Sequence, residues 1–333
     1  MKFSIMITGM HAIDNFVPWA QKIEEYGFDE LFIADDLIFR PAWPILTLIG
    51  ANTKKIRVGP AIVNPITAHP VYHVANLLAL DELTSGRAVC SMGKGAFNAN
   101  LKLEHVEKPV RMVKEAYDIM KHVMAGNTDA FEGDYFSTIN GFKFEFEPLR
   151  NDIPITIGTW GHQMARMAGR HTAGVLAACC SGPMAMKRIV DEAKAGAMAA
   201  GRDPETLELG SAPLSSISMD SEAARRNITD LLGFLMPTME VLTRQLDITD
   251  EEVQTIFKHA QAGELDTVAK LIPERAVRAF SVAGSPNDVI PQLEEMIDLG
   301  VNHINFSPPL GPDVDVALEL IAKEILPYFK NRN

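Results

Sequence analysis

The chain has 333 residues, of which 47% are hydrophobic and 22% are charged, and its formal net charge at pH 7 is −12. These values are typical of a globular protein, and no apolar run reaches the roughly 18 residues of a membrane span. The acidic balance argues against a nucleic-acid partner, because binding phosphates requires clustered Lys and Arg. Three cysteines, Cys90, Cys179 and Cys180, are too few for a disulfide framework. They predict a cytoplasmic location, with the adjacent pair as core-facing side chains.

Short β-rich runs alternate with longer amphipathic stretches along the chain. The predicted strands span residues 3–8, 30–34, 56–63, 88–92, 153–157, 174–178, 207–219 and 302–306. The predicted helices span residues 15–26, 44–52, 71–83, 111–124, 162–170, 184–200 and 314–329. Eight strands in this alternation predict an α/β fold, the (β/α)8 TIM barrel, in which helices connect parallel strands.

Two segments exceed what a minimal barrel needs. Residues 131–147 carry aromatic side chains around Gly133 and Gly141, which predicts an inserted β-ribbon. Residues 225–278 are rich in helix formers, with capping candidates at Thr249 and Asp250, and predict extra helices. Because no linker-like sequence flanks either segment, we predict a single domain over residues 1–333 with insertions near 127–150 and 225–278.

A pair of acidic residues follows the second predicted strand. Asp35 and Asp36 come directly after it, with Arg40 and Trp43 close by in sequence. Active sites of barrels lie at the carboxyl ends of the strands, so paired carboxylates there can bind a polar ligand or act as acid and base. The alternative is a solvated helix cap, and the sequence leaves both interpretations open.

Glycine-rich loops follow the fourth and fifth predicted strands. The first contains Gly93-Lys94-Gly95, and the second contains Gly158, Thr159, Trp160 and Gly161 at the start of a helix. Glycines let the backbone approach an anion, and free amides at a helix N-terminus point toward it. Ordinary strand-to-helix turns remain the alternative. Neither loop has the Walker pattern, and the dinucleotide fingerprint is missing from the first strand-to-helix turn.

Two histidines four residues apart raise the question of a metal site. His69 and His73 lie on a predicted helix, but the sequence between them lacks the glutamate of an HExxH motif. We therefore predict no metal site.

The segment GPAIVNPITAHP, residues 59–70, contains three prolines within and after a predicted buried strand. Proline removes a backbone donor, so the segment is either a strand leaving the core or a backbone shaped for a ligand. With the following ANLLALDELTSGRAVCSMGKG, it resembles the bacterial-luciferase-like barrel superfamily. In that superfamily a bulge in the third strand precedes a helix ending in a D-x-L-S-G-G-R signature, which is DELTSGR at residues 81–87 here.

Within that superfamily the chain resembles the archaeal coenzyme F-420 (F420)-dependent methylenetetrahydromethanopterin reductases. Their G-P-G-I-T-N-P-Y-T-R-H-P is similar to residues 59–70. Their A-F-S-I-A-G-D-P is matched in AFSVAGSPNDV, residues 279–289, and their G-S-P-I-G-P-D is similar to residues 307–313. The resemblance implies hydride transfer between the deazaflavin F420 and a substrate carbon, in methanogenic one-carbon metabolism.

The resemblance also implies site residues. It places a non-prolyl cis peptide bond between Ala61 and Ile62, behind the deazaflavin ring, and assigns Asp35 and Asp36 as catalytic candidates. The implied cofactor-binding residues are Ala61, Ile62, Val63, Asn64, Gly93, Lys94, Gly95, Gly158, Thr159, Trp160, Gly161 and His162.

Three departures from the family pattern leave the substrate open. Met6 stands where the reductases have a glutamate, Ala68 where they have an arginine, and Asp36 where many relatives have a histidine. We expect a small-molecule substrate, a tetrahydropterin or a replacement for it, and a homodimer or homotetramer. The alternatives are an FMN-dependent luciferase-like monooxygenase or flavin reductase, and a non-catalytic flavin-binding homologue.

Overall fold

Eight parallel strands close a barrel in the computed structural model, which describes residues 1–103, 106–179 and 181–330. The described residues contain ten strands, of which β1 to β7 and β10 form the closed ring: β1 (Lys2–Thr8), β2 (Glu30–Ala34), β3 (Arg57–Val63), β4 (Cys90–Gly93), β5 (Ile155–Gly158), β6 (Gly174–Ala178), β7 (Glu208–Ala212), β8 (Leu214–Ile217), β9 (Ser281–Gly284) and β10 (His303–Leu310). Strands β1 to β7 pair in chain order, and β10 closes the ring by pairing with β7 and β1. The predicted (β/α)8 barrel is confirmed.

Helices surround the barrel and connect its strands. They are α1 (Phe16–Glu25), α2 (Ala42–Asn52), α3 (Pro70–Leu83), α4 (Pro109–Met124), α5 (His162–His171), α6 (Pro183–Ala199), α7 (Ser221–Leu235), α8 (Glu240–Gln245), α9 (Asp250–Gln261), α10 (Leu265–Leu271), α11 (Glu274–Phe280), α12 (Pro286–Asp298), α13 (Val314–Leu320) and α14 (Leu326–Lys330). Short 3-10 turns occupy Ile13–Asn15, Asn98–Leu101, Pro204–Thr206 and Met236–Met239, and a π-helical turn, Ile321–Ile325, joins α13 to α14. No helix of the described residues is long and apolar enough to cross a bilayer.

The seventh predicted strand, residues 207–219, is divided in the structure. Pro213 separates β7 from β8, because proline has no N–H to donate to the next strand. On the C-terminal side of this break, β8 pairs with the C-terminal part of β10 and with β9. Strand β9 was not predicted from the sequence. The prediction of one continuous strand is therefore wrong.

The predicted β-ribbon at residues 131–147 is also wrong. The segment is a loop with one isolated antiparallel bridge, between Glu132 and Ser137. The carboxylate of Glu115 on α4 accepts the backbone N–H groups of residues 134, 135 and 136, which are then unable to join a ladder. The rings of Phe142 and Phe144 pack edge-to-face with centroids 5.5 Å apart, so these alternating aromatic residues contact each other without a partner strand.

The extra helices predicted for residues 225–278 are confirmed. They are α7 to α11, and α9 begins with a capping box in which Thr249 and Glu252 exchange hydrogen bonds with each other's backbone. Asp250 is the first residue of α9. This helical insertion lies between β8 and β9 in the chain, next to the carboxyl end of the barrel.

The inside and the outside of the barrel form separate apolar clusters. Alternate residues of β1, such as Ile5 and Ile7, face the helices, whereas Met6 belongs to a small inner cluster. The members of that inner cluster are Met6, Phe32, Ala34, Ala61, Val89, Leu176 and Ala212. They face the interior of the barrel.

Charged side chains fill the opposite, amino-terminal end of the barrel. Glu30 and His303 are almost fully buried there, and Glu208 accepts a hydrogen bond from Nδ1 of His303 at 2.8 Å. Ligating atoms of these three residues lie within 4.8 Å of one another. Lys2 already pairs with both carboxylates and Arg57 pairs with Glu30, so we interpret the cluster as an ion-pair network that closes the barrel floor.

The floor network predicts a specific loss of stability in acid. His303 and Lys2 hold the pKa of Glu208 at about 2, against an ordinary 4.5, despite its burial. Its contribution to stability is therefore complete above pH 4.5 and declines as the pH falls toward 2. We expect Glu208→Gln to lower the free energy of unfolding by about 2–3 kcal/mol at pH 7 and by much less near pH 2. Urea denaturation at several pH values measures the difference, and an equal effect at all pH values would contradict the prediction.

Candidate active site

The predicted site residues lie in the loops at the carboxyl end of the barrel, where (β/α)8 enzymes carry their active sites. Asp35 and Asp36 follow β2, Ala61 to Val63 end β3, and Asn64 follows β3. Gly93 ends β4 and precedes Lys94 and Gly95, whereas Gly158 ends β5 and precedes Thr159 to Gly161 and His162 at the start of α5. Because neighbouring parallel strands end at the same level, these four loops border a common opening.

The end of β3 forms an apolar shelf in this opening. The Ala61-Ile62 peptide bond is cis, as predicted, and the pairing of β3 with β4 shifts register between Ala61 and Val63. A Cβ atom added to Gly158 would lie 2.5 Å from Ile62 Cγ2, and one added to Gly93 would lie 2.8 Å from Ile62 Cδ1. The side chain of Ile62 therefore lies over both glycines. We call Ile62, Gly93 and Gly158 the β3 shelf.

Asn64 connects this shelf to the loop after β4. Its amide Nδ2 donates to Asn98 Oδ1 at 2.9 Å, and Asn98 in turn donates to the carbonyl of Lys94 at 3.1 Å. Gly95 has a positive φ of 79°, and a Cβ there would lie 2.1 Å from Nδ2 of Asn64. Glycine is therefore required at position 95 both by the backbone conformation and by the close approach of Asn64.

The two aspartates after β2 have different surroundings. Asp35 accepts the backbone N–H of Ala42, the first residue of α2, at 3.0 Å, as a helix cap does. It also raises the pKa of Cys90, a buried thiol on β4 whose pKa of about 12 is mainly due to burial. Asp36 instead adds to the burial that raises the pKa of Cys179, the residue after β6. The pKa of Asp36 itself rises to about 6 because of burial and the neighbouring charge of Asp35. Of the two, Asp36 is the carboxyl whose proton affinity suits acid–base chemistry near neutral pH.

The loop after β5 ends at a helix N-terminus that has no side-chain cap. The hydroxyl of Thr159 accepts the N–H of Gly161 at 2.9 Å, and the indole N–H of Trp160 donates to the carbonyl of Ala178 on β6. Gly161 is the N-cap of α5 and provides no side-chain cap, so the first amides of the helix, beginning at His162, are available to a ligand. This geometry supports the predicted anion-binding role of the loop.

Several polar groups near the opening were not predicted from the sequence. The hydroxyls of Thr8 on β1 and Ser91 on β4 are buried and have no partner among the described residues. Nη1 of Arg40 donates to the carbonyls of Gly9, Met10 and His11, which ties the loop after β1 to the loop after β2.

The two histidines of α3 do not act together. His69 is the N-cap of the helix, where its Nδ1 accepts the N–H of Val71 at 3.3 Å. His73 is buried, and its Nε2 lies 3.1 Å from the carbonyl oxygen of Asn64. The four-residue spacing from His69 raised only the question of a metal site and gave no signal for the hydrogen bond between His73 and Asn64. Of the predicted core-facing cysteine pair, Cys179 is partly buried and Cys180 lies outside the described residues.

Comparison with known proteins agrees with this geometry. Residues 1–303 match the luciferase-like monooxygenase family. The chain is 29% identical to 5,10-methylenetetrahydromethanopterin reductase of Methanopyrus kandleri over 323 residues, covering 92% of each chain. It is 28% identical to the F420-dependent glucose-6-phosphate dehydrogenase of Microbacterium testaceum, covering 93% of this chain and 91% of that one.

A solved structure extends the likeness to three dimensions. The F420-dependent tetrahydromethanopterin reductase from Methanopyrus kandleri superposes with a TM-score of 0.89 at 27% identity, covering 98% of this chain and 99% of that one. The likeness therefore extends over nearly the whole length of both chains.

Proposed function

The chain belongs to the luciferase-like monooxygenase family, and we propose that within it the protein is an F420-dependent oxidoreductase that transfers a hydride between the deazaflavin and a substrate carbon. The observation that carries the proposal is the β3 shelf, where the partly buried side chain of Ile62 lies against Gly93 and Gly158, and we propose that a planar ring packs on this apolar side chain. Near full-length relatives whose names include F420 dependence support it.

The residues present fit this cofactor. We propose that it is held by Ala61, Ile62, Val63, Asn64, Gly93, Lys94, Gly95, Gly158, Thr159, Trp160, Gly161 and His162. When bound, a deazaflavin supplies two-electron hydride chemistry and does not readily activate oxygen. The main work left to the protein is to orient two reactants and to exclude water. The exposed ammonium of Lys94 and the free amides of α5 suit the anionic part of the molecule.

We propose that Asp36 holds or releases the proton that accompanies hydride transfer. Its raised pKa keeps a substantial protonated fraction close to neutral pH. Asp35 then has a supporting role: its charge raises the pKa of Asp36, while its hydrogen bond to Ala42 fixes the start of α2.

The substrate proposed first is methylenetetrahydromethanopterin or a related tetrahydropterin, as part of methanogenic one-carbon metabolism. The M. kandleri relatives named above have this pterin in their names. Met6 is buried in the inner cluster, so β1 places no carboxylate where the family resemblance would put a glutamate. A close paralogue with a different substrate therefore belongs to the same proposal. We extend the proposal to a cytoplasmic homodimer or homotetramer, since Tyr72 and Leu83 expose apolar surface on α3.

Binding and turnover of the cofactor test this proposal. We expect the purified protein to bind F420, followed by absorbance, in preference to FMN, and to oxidise reduced F420 when methylenetetrahydromethanopterin is added. Gly158→Ala places a methyl group against Ile62 and should weaken F420 binding by about tenfold or more, because the shelf must move.

Each other outcome has a definite meaning. Binding of FMN but not F420 would reject the proposal and favour a monooxygenase or flavin reductase. Tight F420 binding without turnover of any tested substrate would favour a non-catalytic homologue.

A further inference from the structure

Two buried polar atoms without partners lie near the loop that follows β3. They are Nε1 of Trp43 on α2 and Nδ1 of His73 on α3, both unpartnered among the described residues. The two rings lie 6.3 Å apart between centroids and are inclined by only 31°. An unpartnered buried donor or acceptor costs about 1–3 kcal/mol, so two of them side by side call for a common explanation.

Hydrogen bonding to Asn64 fixes the tautomer of His73. Its Nε2 lies 3.1 Å from the carbonyl oxygen of Asn64, and a carbonyl can only accept, so Nε2 carries the proton. Burial also lowers the pKa of His73, which keeps the ring neutral. Nδ1 is then an acceptor and the indole N–H of Trp43 is a donor. The two unpartnered atoms therefore have opposite hydrogen-bonding senses.

A single water molecule would satisfy both atoms. Two hydrogen bonds of about 2.8–3.0 Å each require the two nitrogens to lie within about 6 Å of each other, and the ring centroids are 6.3 Å apart. Such a water accepts from Trp43 and donates to His73, which holds the histidine in the tautomer that Asn64 requires.

Asn64 carries the effect of His73 to the candidate cofactor site. The same residue that accepts from His73 donates through its side chain to Asn98, which donates to the carbonyl of Lys94. Gly95 packs directly on the Asn64 amide. The Asn64 carbonyl also accepts from the N–H and the hydroxyl of Thr67 and from the N–H of Ala68, so His73 is one of its four donors. We expect a shift of this carbonyl to be passed to the loop after β4, although His73 itself lies on a helix outside the barrel.

We propose that His73 is a positioning residue that holds Asn64, and through it the loop after β4, and that a buried water joins His73 Nδ1 to the indole N–H of Trp43. The consequence for cofactor binding rests on the proposed function, whereas the hydrogen bonds and the loop position do not.

Hydrogen exchange in the protein without cofactor tests the positioning role alone. We expect His73→Leu, which cannot donate to Asn64, to raise amide exchange at residues 93–98 by about tenfold or more. His73→Gln keeps an N–H donor and should stay within about threefold of the original protein. His69→Leu removes an imidazole from the same helix without a bond to Asn64 and is the matched control. Equal exchange at residues 93–98 in His73→Leu and the original protein would overturn the proposal.

Cofactor titration then separates this inference from the proposed function. We expect His73→Leu to raise the Kd and KM for F420 by about tenfold with little change in kcat, and His73→Gln to restore both. If the original protein binds no F420, the proposed function fails while the exchange result still decides the positioning role. A crystal structure that shows no water between Trp43 and His73 would overturn the assignment of the water.

Discussion

Asp36→Asn is expected to lower kcat by roughly 10²- to 10⁴-fold, because an amide of the same shape can neither release nor take up a proton. Asp36 is the carboxyl near the opening whose pKa, about 6, is raised by burial and by the charge of Asp35. Steady-state oxidation of reduced F420 with saturating substrate measures the effect. A loss of less than about tenfold would show that hydride transfer needs no proton from this residue.

The pH dependence of the original protein gives the direction of proton transfer. If Asp36 donates the proton during substrate reduction, kcat should fall as the pH rises through about 6. In the reverse reaction the same group acts as a base, so the rate should rise through the same pH. Both pH dependences, the fall of kcat and the rise of the reverse rate near pH 6, should be absent from the Asp36→Asn variant. If they persist, another group is responsible for them.

The same variant should be more stable than the original protein at neutral pH. The folded-state pKa of Asp36 lies above its ordinary value of 3.8, so the folded state loses stability as the pH rises from about 3.8 through about 6. Asn is neutral throughout and avoids this loss, which amounts to about 1–3 kcal/mol above pH 7. Below pH 4 the two proteins should be equally stable. A functional carboxyl that costs stability is a common feature of active sites.

Asp35→Asn is the matched control, since it changes the neighbouring carboxyl in the same way. The side-chain oxygen of Asn can still accept the N–H of Ala42, so the start of α2 should be preserved. Loss of the Asp35 charge removes one of the causes that raise the pKa of Asp36. The midpoint of the pH dependence of kcat should therefore move to lower pH. A loss of activity as large as that of Asp36→Asn would instead make Asp35 the proton donor.

Periodicity predicted the barrel well because each strand signal is local. The first six predicted strands agree with the structure to within two residues at each end, since short apolar runs and flanking glycines are sufficient to define them. The failures came from interactions with distant residues. Strand β9 is only four residues long and exists because β8 offers it an edge, and Glu115 withdraws from the ladder the N–H groups that a ribbon at 131–147 would need.

The candidate site was predictable where it consists of backbone and glycines. The cis bond at Ala61-Ile62 follows from the family resemblance, and the glycines that accommodate Ile62 lie in two loops marked by their spacing. The site could not be completed from sequence where its function depends on which way a side chain points. Asp35 and Asp36 are adjacent and look equivalent in sequence. In the structure, however, Asp35 accepts a hydrogen bond from the start of α2, whereas Asp36 contributes to the raised pKa of Cys179.

The DELTSGR segment, on which the family resemblance partly rests, has a structural role. Arg87 donates to the carbonyls of Gly50, Thr53, Ile56 and Thr84, and so joins the end of α2 to the end of α3. Asp81 is fully buried, accepts the N–H of Ala88 at 3.1 Å and forms a two-point ion pair with Arg150. These contacts lie beside the start of β4, away from the carboxyl ends of the strands where the candidate site lies.

Asp81→Asn is therefore expected to lower the free energy of unfolding by about 3–5 kcal/mol, because it leaves the guanidinium of Arg150 partly buried without its counter-charge. Asp118→Asn is the control: Asp118 pairs with Lys114 on the exposed side of α4, and that loss should stay below about 1 kcal/mol. Guanidinium chloride denaturation of both variants measures the contrast. Cofactor affinity of folded Asp81→Asn should match that of the original protein, because Asp81 is remote from the β3 shelf. A variant that keeps its stability but loses cofactor binding would instead place the DELTSGR segment in the functional site.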